Sequence, residues 1–226
     1  IIVTGGAGFI GSAVIWGLNC RGIDNIFIVD LKKNENAGNI SHLNYAGYIP
    51  HNEFRDAVLK GKWDREDIDC IFHLGACTST TEKNKAYLKD NNFQYTADIA
   101  RFAVRRGIRF IYASSAATYG DGSLGFKDDE DVLKELKPLN LYGESKQWFD
   151  VWAMRNNLLN KIAGLKYFNV YGPNEYHKKE MRSFVIKAYE QIEQTGKVRL
   201  FKSCKPEYKD GEQKRDFVYI KDAVDM

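Results

Sequence analysis

The tightest constraint on this chain is the glycine spacing of Thr4-Gly5-Gly6-Ala7-Gly8-Phe9-Ile10-Gly11, directly behind the apolar run Ile1–Thr4. An apolar run, three glycines three apart and an amphipathic segment together spell a buried strand, a tight turn and a helix. Gly5 permits the turn, Gly8 lets a ligand approach the backbone, and Gly11 lets the helix lie close to the sheet. N–H groups at such a helix start favour a diphosphate. Asp30 closes the next apolar run, 25 residues after Gly5, where a carboxylate can accept hydrogen bonds from an adenosine ribose. The combination predicts a dinucleotide site. An acid at that position favours NAD, whereas Lys32 and Lys33 just beyond it can neutralise the 2′-phosphate of NADP, so these residues leave the two dinucleotides open.

The rest of the chain repeats the same alternation. Strands are expected at Ile1–Thr4, Ile26–Asp30, Cys70–His73, Arg109–Ala113 and Ala163–Phe168, with helices at Gly11–Cys20, Ala86–Arg106 and Leu141–Leu158. Both long helices can cross over a parallel sheet, which predicts a doubly wound α/β domain of Rossmann type. Beyond Phe168 the texture becomes polar and turn-rich over Asn169–Lys179. A helix is expected at Ser183–Gln194 and a short strand at Val198–Phe201. Residues 178–215 hold 11 Lys/Arg against 6 Asp/Glu. The expected organisation is a dinucleotide-binding domain over 1–168, a segment of a smaller substrate domain over 169–214, and a return to the first domain over 215–226. Because the chain stops at Met226 inside a helix start, the substrate domain is expected to be incomplete.

Composition excludes several classes. A net charge of +3 on 226 residues does not suit a nucleic-acid binder. No apolar run reaches membrane-spanning length, and no charged leader precedes the first strand. A cytoplasmic enzyme with neither nucleic-acid nor membrane partner is expected. Cys20, Cys70, Cys77 and Cys204 are too dispersed for a metal pair; Cys20 and Cys70 read as reduced core residues. No other His, Cys or acid has metal-ligand spacing with His177, so no metal site is expected.

Tyr142 and Lys146 form a Tyr-x-x-x-Lys pair on one face of a helix starting near Asn140. An ammonium beside a phenol, together with an oxidised nicotinamide, favours phenolate, which turns a poor base into one able to take an alcohol proton. Ser115 follows a strand, at the sheet edge where such folds bind ligands, and can hydrogen-bond the reacting oxygen.

These features identify the chain as similar to the extended short-chain dehydrogenase/reductases, the NAD-dependent epimerase/dehydratase family. The resemblance is carried by TGGAGFIGS at 4–12, IFHLGACTSTTE at 71–82, DNNFQYT at 90–96, IYASSAATYG at 111–120, PLNLYGESK at 138–146, YFNVYGPNEYHK at 167–178 and RDFVYIKDAV at 215–224. GACTSTTE and the His177-Lys178 pair resemble most the members that invert C6″ of an ADP-activated heptose.

The resemblance implies a nucleotide-sugar epimerase of lipopolysaccharide-core synthesis, working by transient oxidation and re-reduction with bound NADP, NAD being the alternative. It implies acid/base roles for Tyr142 and Lys178, supported by Lys146 and Ser115. The dinucleotide would be held by Gly5, Gly8, Phe9, Ile10, Gly11, Asp30, Leu31, Lys32, Leu74, Gly75, Ala76, Cys77, Thr78, Asn92, Tyr142, Lys146, Val170 and Lys178. The sugar nucleotide would meet Ser79, Ser115, Asn169, Phe201, Lys202, Ser203, Cys204 and Arg215. Glu180 and Lys187 join that set, standing where the family has a serine and a histidine. A homo-oligomer is expected. The runner-up is another nucleotide-sugar epimerase, such as one inverting C4 of a UDP-hexose. A 4,6-dehydratase would need an Asp-Glu pair where this chain has Ala116-Ala117-Thr118. A non-catalytic cofactor sensor would have no use for Ser115, Tyr142 and Lys146 together.

Overall fold

The computed structural model describes residues 1–31, 37–204 and 206–226. The chain divides into two compact units, Ile1–Tyr167 and Phe168–Met226. In the first, β1 (Ile2–Thr4), α1 (Phe9–Asn19), β2 (Phe27–Asp30), α2 (Ala37–Ile40), β3 (Gly47–Pro50), α3 (His51–Leu59) and β4 (Cys70–His73) come in order. They are followed by α4 (Lys85–Leu88), a π-helical stretch Lys89–Gln94, α5 (Tyr95–Arg106), β5 (Arg109–Ser115), α6 (Leu141–Arg155) and β6 (Ile162–Tyr167). The six strands form one parallel sheet in the order β3-β2-β1-β4-β5-β6. This is the doubly wound order whose ligands bind at the carboxyl ends of the strands, where the order reverses.

Continuous apolar strands arise because both faces of this sheet are covered. Alternate residues serve opposite faces: Ile2 and Val29 join the cluster with Phe54, Phe102, Phe110 and Phe149, while Val3 and Ile28 join the one with Ile15, Ile26 and Ile40. Each fully buried Phe, such as Phe102 or Phe110, contributes roughly 1.5–3 kcal/mol.

Several local expectations need correction. The single helix expected over Ala86–Arg106 is interrupted by the π-helical stretch, whose wider turn carries the buried Asn92. Both β3 and α3 had no strong sequence signal: β3 is a half-buried edge strand ending in Pro50, which only an edge tolerates. Cys20 is exposed at the end of α1 rather than in the core; Cys70 is buried, and burial pushes its thiol up to about 11. In the second unit Val198–Phe201 is not a strand. Its neighbourhood bonds to Gln191, Asp210 and Gly211, as in Arg199 N–H to Gln191 Oε1 at 2.8 Å and Gly211 N–H to the Phe201 carbonyl at 2.9 Å.

That second unit contains β7 (Asn169–Tyr171), a 3-10 stretch Tyr176–Met181, α7 (Phe184–Thr195), β8 (Phe217–Tyr219) and α8 (Ile220–Asp225). The segment read as turns from Asn169 onward begins as β7, because it pairs in parallel with the distant β8, Val170 opposite Val218. Ser183 caps α7, accepting from Ile186 N–H at 3.3 Å, and Gly196 ends it in the left-handed conformation. No helix among the described residues is long and apolar enough to cross a membrane.

Candidate active site

Three loops meet at the carboxyl edge of the sheet. The first is the glycine turn. Gly5 has φ +66° and donates its N–H to the Val29 carbonyl at 2.7 Å; Gly8 N–H reaches the Gly5 carbonyl at 3.0 Å. A Cβ on Gly5 would sit 2.6 Å from Gly75 N, and one on Gly11 would sit 2.1 Å from the Gly5 carbonyl oxygen. Neither glycine tolerates a side chain, so helix α1 and the loop after β4 close around the turn. Gly8 caps α1 without a side-chain hydrogen bond and no acid lies in its first turn, which leaves that end suited to an anion. Phe9 is buried and Ile10 half-buried behind it. These residues fit the diphosphate of a dinucleotide.

Asp30 ends β2 with Oδ2 accepting from Ala7 N–H at 2.9 Å and Oδ1 from Leu31 N–H at 2.7 Å. Leu31 is exposed, and its carbonyl accepts from the Tyr48 hydroxyl. Lys32 and Lys33 lie outside the described residues.

The second loop, Leu74–Thr78, follows β4. Leu74 N–H donates to the Thr4 carbonyl at 3.0 Å and Gly75 N–H to Thr4 Oγ1 at 3.2 Å. Ala76 and Cys77 are half-buried, as is Ser79, whose hydroxyl pairs with that of Thr81 at 3.1 Å; Thr78 is exposed. Asn92, 1% exposed, clamps the loop: its Oδ1 accepts from Cys77 N–H at 2.8 Å and its Nδ2 donates to the Cys77 carbonyl and to Ser145 Oγ, both at 2.9 Å. Beneath it runs a relay that the sequence reading missed. Thr96 donates to the Asn92 carbonyl at 2.6 Å, so its oxygen accepts from His73 Nε2, and His73 Nδ1 is left to accept from Thr4 Oγ1, each at 2.9 Å. Burial, with a smaller contribution from Lys146, pushes His73 down to about 3, so the ring stays neutral and the relay keeps one direction. A histidine ending an apolar strand was the available signal.

The third loop follows β5. Ser115 Oγ accepts from Ala117 N–H at 3.1 Å and acts to lower the Tyr142 phenol. Asn140 caps α6, accepting from Gly143 N–H at 2.8 Å, and Ser145 Oγ donates to the Tyr142 carbonyl at 2.7 Å. Gly143 is needed because a Cβ there would meet the Ala117 carbonyl at 2.8 Å. Lys146 is 7% exposed and donates to the Ala113 carbonyl at 2.9 Å; burial pulls its ammonium down to about 8. In the protein without a nicotinamide the phenol is raised, not lowered. Burial raises Tyr142, Ser115 opposes that rise, and Lys146 is not among the groups moving it. A buried phenol resists ionisation until further positive charge enters the site.

In the second unit, Lys178 is half-buried on the 3-10 stretch, and burial lowers its ammonium while Glu175 raises it. Glu175, 1% exposed and also missed in sequence, accepts from Gly172 N–H at 3.2 Å, from Ser183 Oγ at 2.8 Å and from Ser183 N–H. Asn169 is exposed and donates to the Asp216 carbonyl at 2.8 Å; Val170 is half-buried. Lys187 turns to Glu180, donating to its carbonyl at 2.6 Å with its carboxylate 3.5 Å away. Phe201, Lys202 and Cys204 are exposed, Ser203 is half-buried, and the exposed Arg215 donates to the Lys214 carbonyl at 2.7 Å.

The model of the NAD dependent epimerase/dehydratase family matches residues 1–226. Over the whole chain the protein is 54% identical to an ADP-L-glycero-D-manno-heptose-6-epimerase of Nitratidesulfovibrio vulgaris and 49% identical to that of Fusobacterium nucleatum, spanning 70% and 69% of their lengths. The crystal structure of the Helicobacter pylori ADP-L-glycero-D-manno-heptose-6-epimerase superposes with a TM-score of 0.79 at 29% identity, covering 99% of this chain and 70% of that one. A UDP-N-acetylglucosamine 4-epimerase from Methanobrevibacter ruminantium gives 0.77 at 26% identity, with 99% and 70% covered. With a glycine turn that fits a dinucleotide, Ser115, Tyr142 and Lys146 on β5 and α6 of the same unit and a family match over residues 1–226, the chain belongs to the NAD dependent epimerase/dehydratase family.

Proposed function

We propose that this protein inverts C6″ of ADP-glycero-manno-heptose, from the D-glycero to the L-glycero form, using a bound nicotinamide dinucleotide. The observation that carries the reading is the presence of Ser115, Tyr142 and Lys146 on β5 and α6 in a chain 54% identical, over all its residues and 70% of the relative's, to a protein named for that reaction. The nicotinamide, when bound, supplies a reversible hydride acceptor and positive charge. Tyr142 takes the proton of the C6″ hydroxyl as its carbon gives up hydride, and Ser115 hydrogen-bonds the same oxygen. The resulting ketone presents its other face, receives the hydride back and regains a proton. One base cannot readily serve both orientations of that oxygen, so Lys178 is assigned to the second. Burial lowers its ammonium, the direction a lysine base requires. Asn169, Arg215 and the stretch Phe201–Cys204 are assigned to the sugar nucleotide. A cytoplasmic location and self-association belong to the same proposal.

Product analysis tests it. Incubation with the D-glycero substrate is expected to yield the L-glycero product without net accumulation of reduced dinucleotide. An unchanged C6″, or stoichiometric reduced dinucleotide, refutes the assignment; inversion of a UDP-hexose at C4 instead moves the protein to the neighbouring activity.

NADP is proposed as the preferred dinucleotide, supported by Lys32 and Lys33 and by the resemblance to the heptose branch. Asp30 opposes it, since an acid beside a 2′-phosphate costs binding energy that the lysines must offset. Titration of the dinucleotide-free protein is expected to give tighter NADP binding; NAD binding about tenfold tighter, a difference of about 1.4 kcal/mol, reverses the assignment.

A further inference from the structure

Tyr142, Lys146 and Asp150 stand at i, i+4 and i+8 of α6 and share one helix face. Asp150 is 2% exposed and accepts three hydrogen bonds, from Tyr112 Oη at 2.9 Å, Ser114 Oγ at 2.7 Å and Lys166 Nζ at 2.7 Å. Lys166 also donates to Thr118 Oγ1 at 2.7 Å, and Thr118 donates to the Ser115 carbonyl at 2.8 Å. The strands are arranged for this: Lys166 is the register partner of Ser114, and Tyr112 and Ser114, two apart, leave the same side of the sheet. Gly164 lies opposite Tyr112, where a Cβ would come within 2.4 Å of the phenol oxygen and displace it from Asp150. Apolar residues would stabilise this volume at least as well as a buried ion pair does, so packing alone does not account for it.

We propose that Asp150 and Lys166 are positioning residues for the catalytic cluster: Asp150 keeps Lys146 cationic, and Lys166 anchors that carboxylate while tying it to the Ser115 turn. Lys146 needs such a neighbour because its surroundings expel charge. Burial drives its ammonium down, and Asp150 is the largest influence in the other direction, followed by Cys77 of the loop after β4. His73, at the end of β4, feels the Lys146 charge and is held neutral, and Tyr142 stands one turn earlier on the same helix. Around Asp150 itself stand Tyr112, Ser114 and Lys166. Tyr112 is pushed well up by burial, then by Asp150 and more weakly by Glu130; Tyr119 is raised by burial, Asp128 and Asp150. The Asp150 carboxylate is thus surrounded by donors, and no second carboxylate is among the groups that move Lys146.

The inference deepens the reading of Lys146 as the partner of Tyr142, and its test separates the two. In protein carrying 13C at lysine Cε, without dinucleotide, the Lys146 resonance is assigned by its loss in Lys146→Met and followed against pH. Asp150→Asn is expected to lower its midpoint by about one pH unit or more. Lys166→Met is expected to raise it, because the carboxylate is left without its counter-ion. A merely structural pair predicts that both variants loosen the site alike. An unchanged midpoint in Asp150→Asn, or a fall in both variants, overturns the proposal. If Asp150→Asn does not fold, the direction in Lys166→Met decides alone. In turnover, Asp150→Asn is expected to lower kcat at neutral pH with KM little changed, and to recover on the acid side, where Lys146 is again charged. The two midpoint shifts with a normal kcat would keep the Asp150–Lys146 coupling and remove Lys146 from the catalytic cluster.

Discussion

Replacing Tyr142 by Phe is expected to lower kcat by about 10²–10⁴-fold, the range by which a positioned general acid or base accelerates proton transfer. Only the phenolic oxygen is lost. The ring continues to pack on α6, and the glycine turn, Asp30 and the Asn92-clamped loop are untouched, so dinucleotide affinity is expected to stay within a few-fold. Residual water can hydrogen-bond a substrate hydroxyl, but it cannot replace a phenol fixed on α6 one turn before Lys146. Steady-state turnover and a dinucleotide titration on the same preparation check it. An unchanged kcat removes Tyr142 from the chemistry; a parallel loss of binding and turnover assigns it to the dinucleotide alone.

Lys178→Met is expected to abolish net epimerisation while sparing one half-reaction. Methionine keeps most of the side-chain volume and removes the ammonium, and the Glu175 clamp that orders the 3-10 stretch stays intact. With Tyr142 still present, one C6″ epimer should reduce bound dinucleotide at close to the normal rate, and the other about 10²-fold or more slowly. Single-turnover absorbance at the reduced-nicotinamide band, with each epimer separately, reads this directly. If Lys178 only grips the diphosphate, both epimers suffer equally and the defect lies in KM. Equal rates with a pure KM effect therefore place Lys178 with the binding residues.

Local order along the chain was enough to reveal the strand–glycine turn–helix, Asp30 at the end of β2, Ser115 at the end of β5 and the Tyr142–Lys146 pair on α6. Each depends on a period, a turn residue or a spacing within a single element, and those are local properties of a polymer. Residues distant in sequence supplied what was not legible. The buried His73 relay joins Thr4, Asn92 and Thr96 across β1, β4 and the π-helical stretch. Asp150 acquires its meaning from β5 and β6, and β7 exists because β8 lies beside it. The direction of the Tyr142 shift was likewise hidden, since the spacing to Lys146 announced a favourable charge, whereas burial raises the phenol and only Ser115 opposes it. The sequence determined which groups are present and on which elements they ride. Tertiary structure decided their charge and their partners, because burial and long-range pairing depend on every segment that packs around a site.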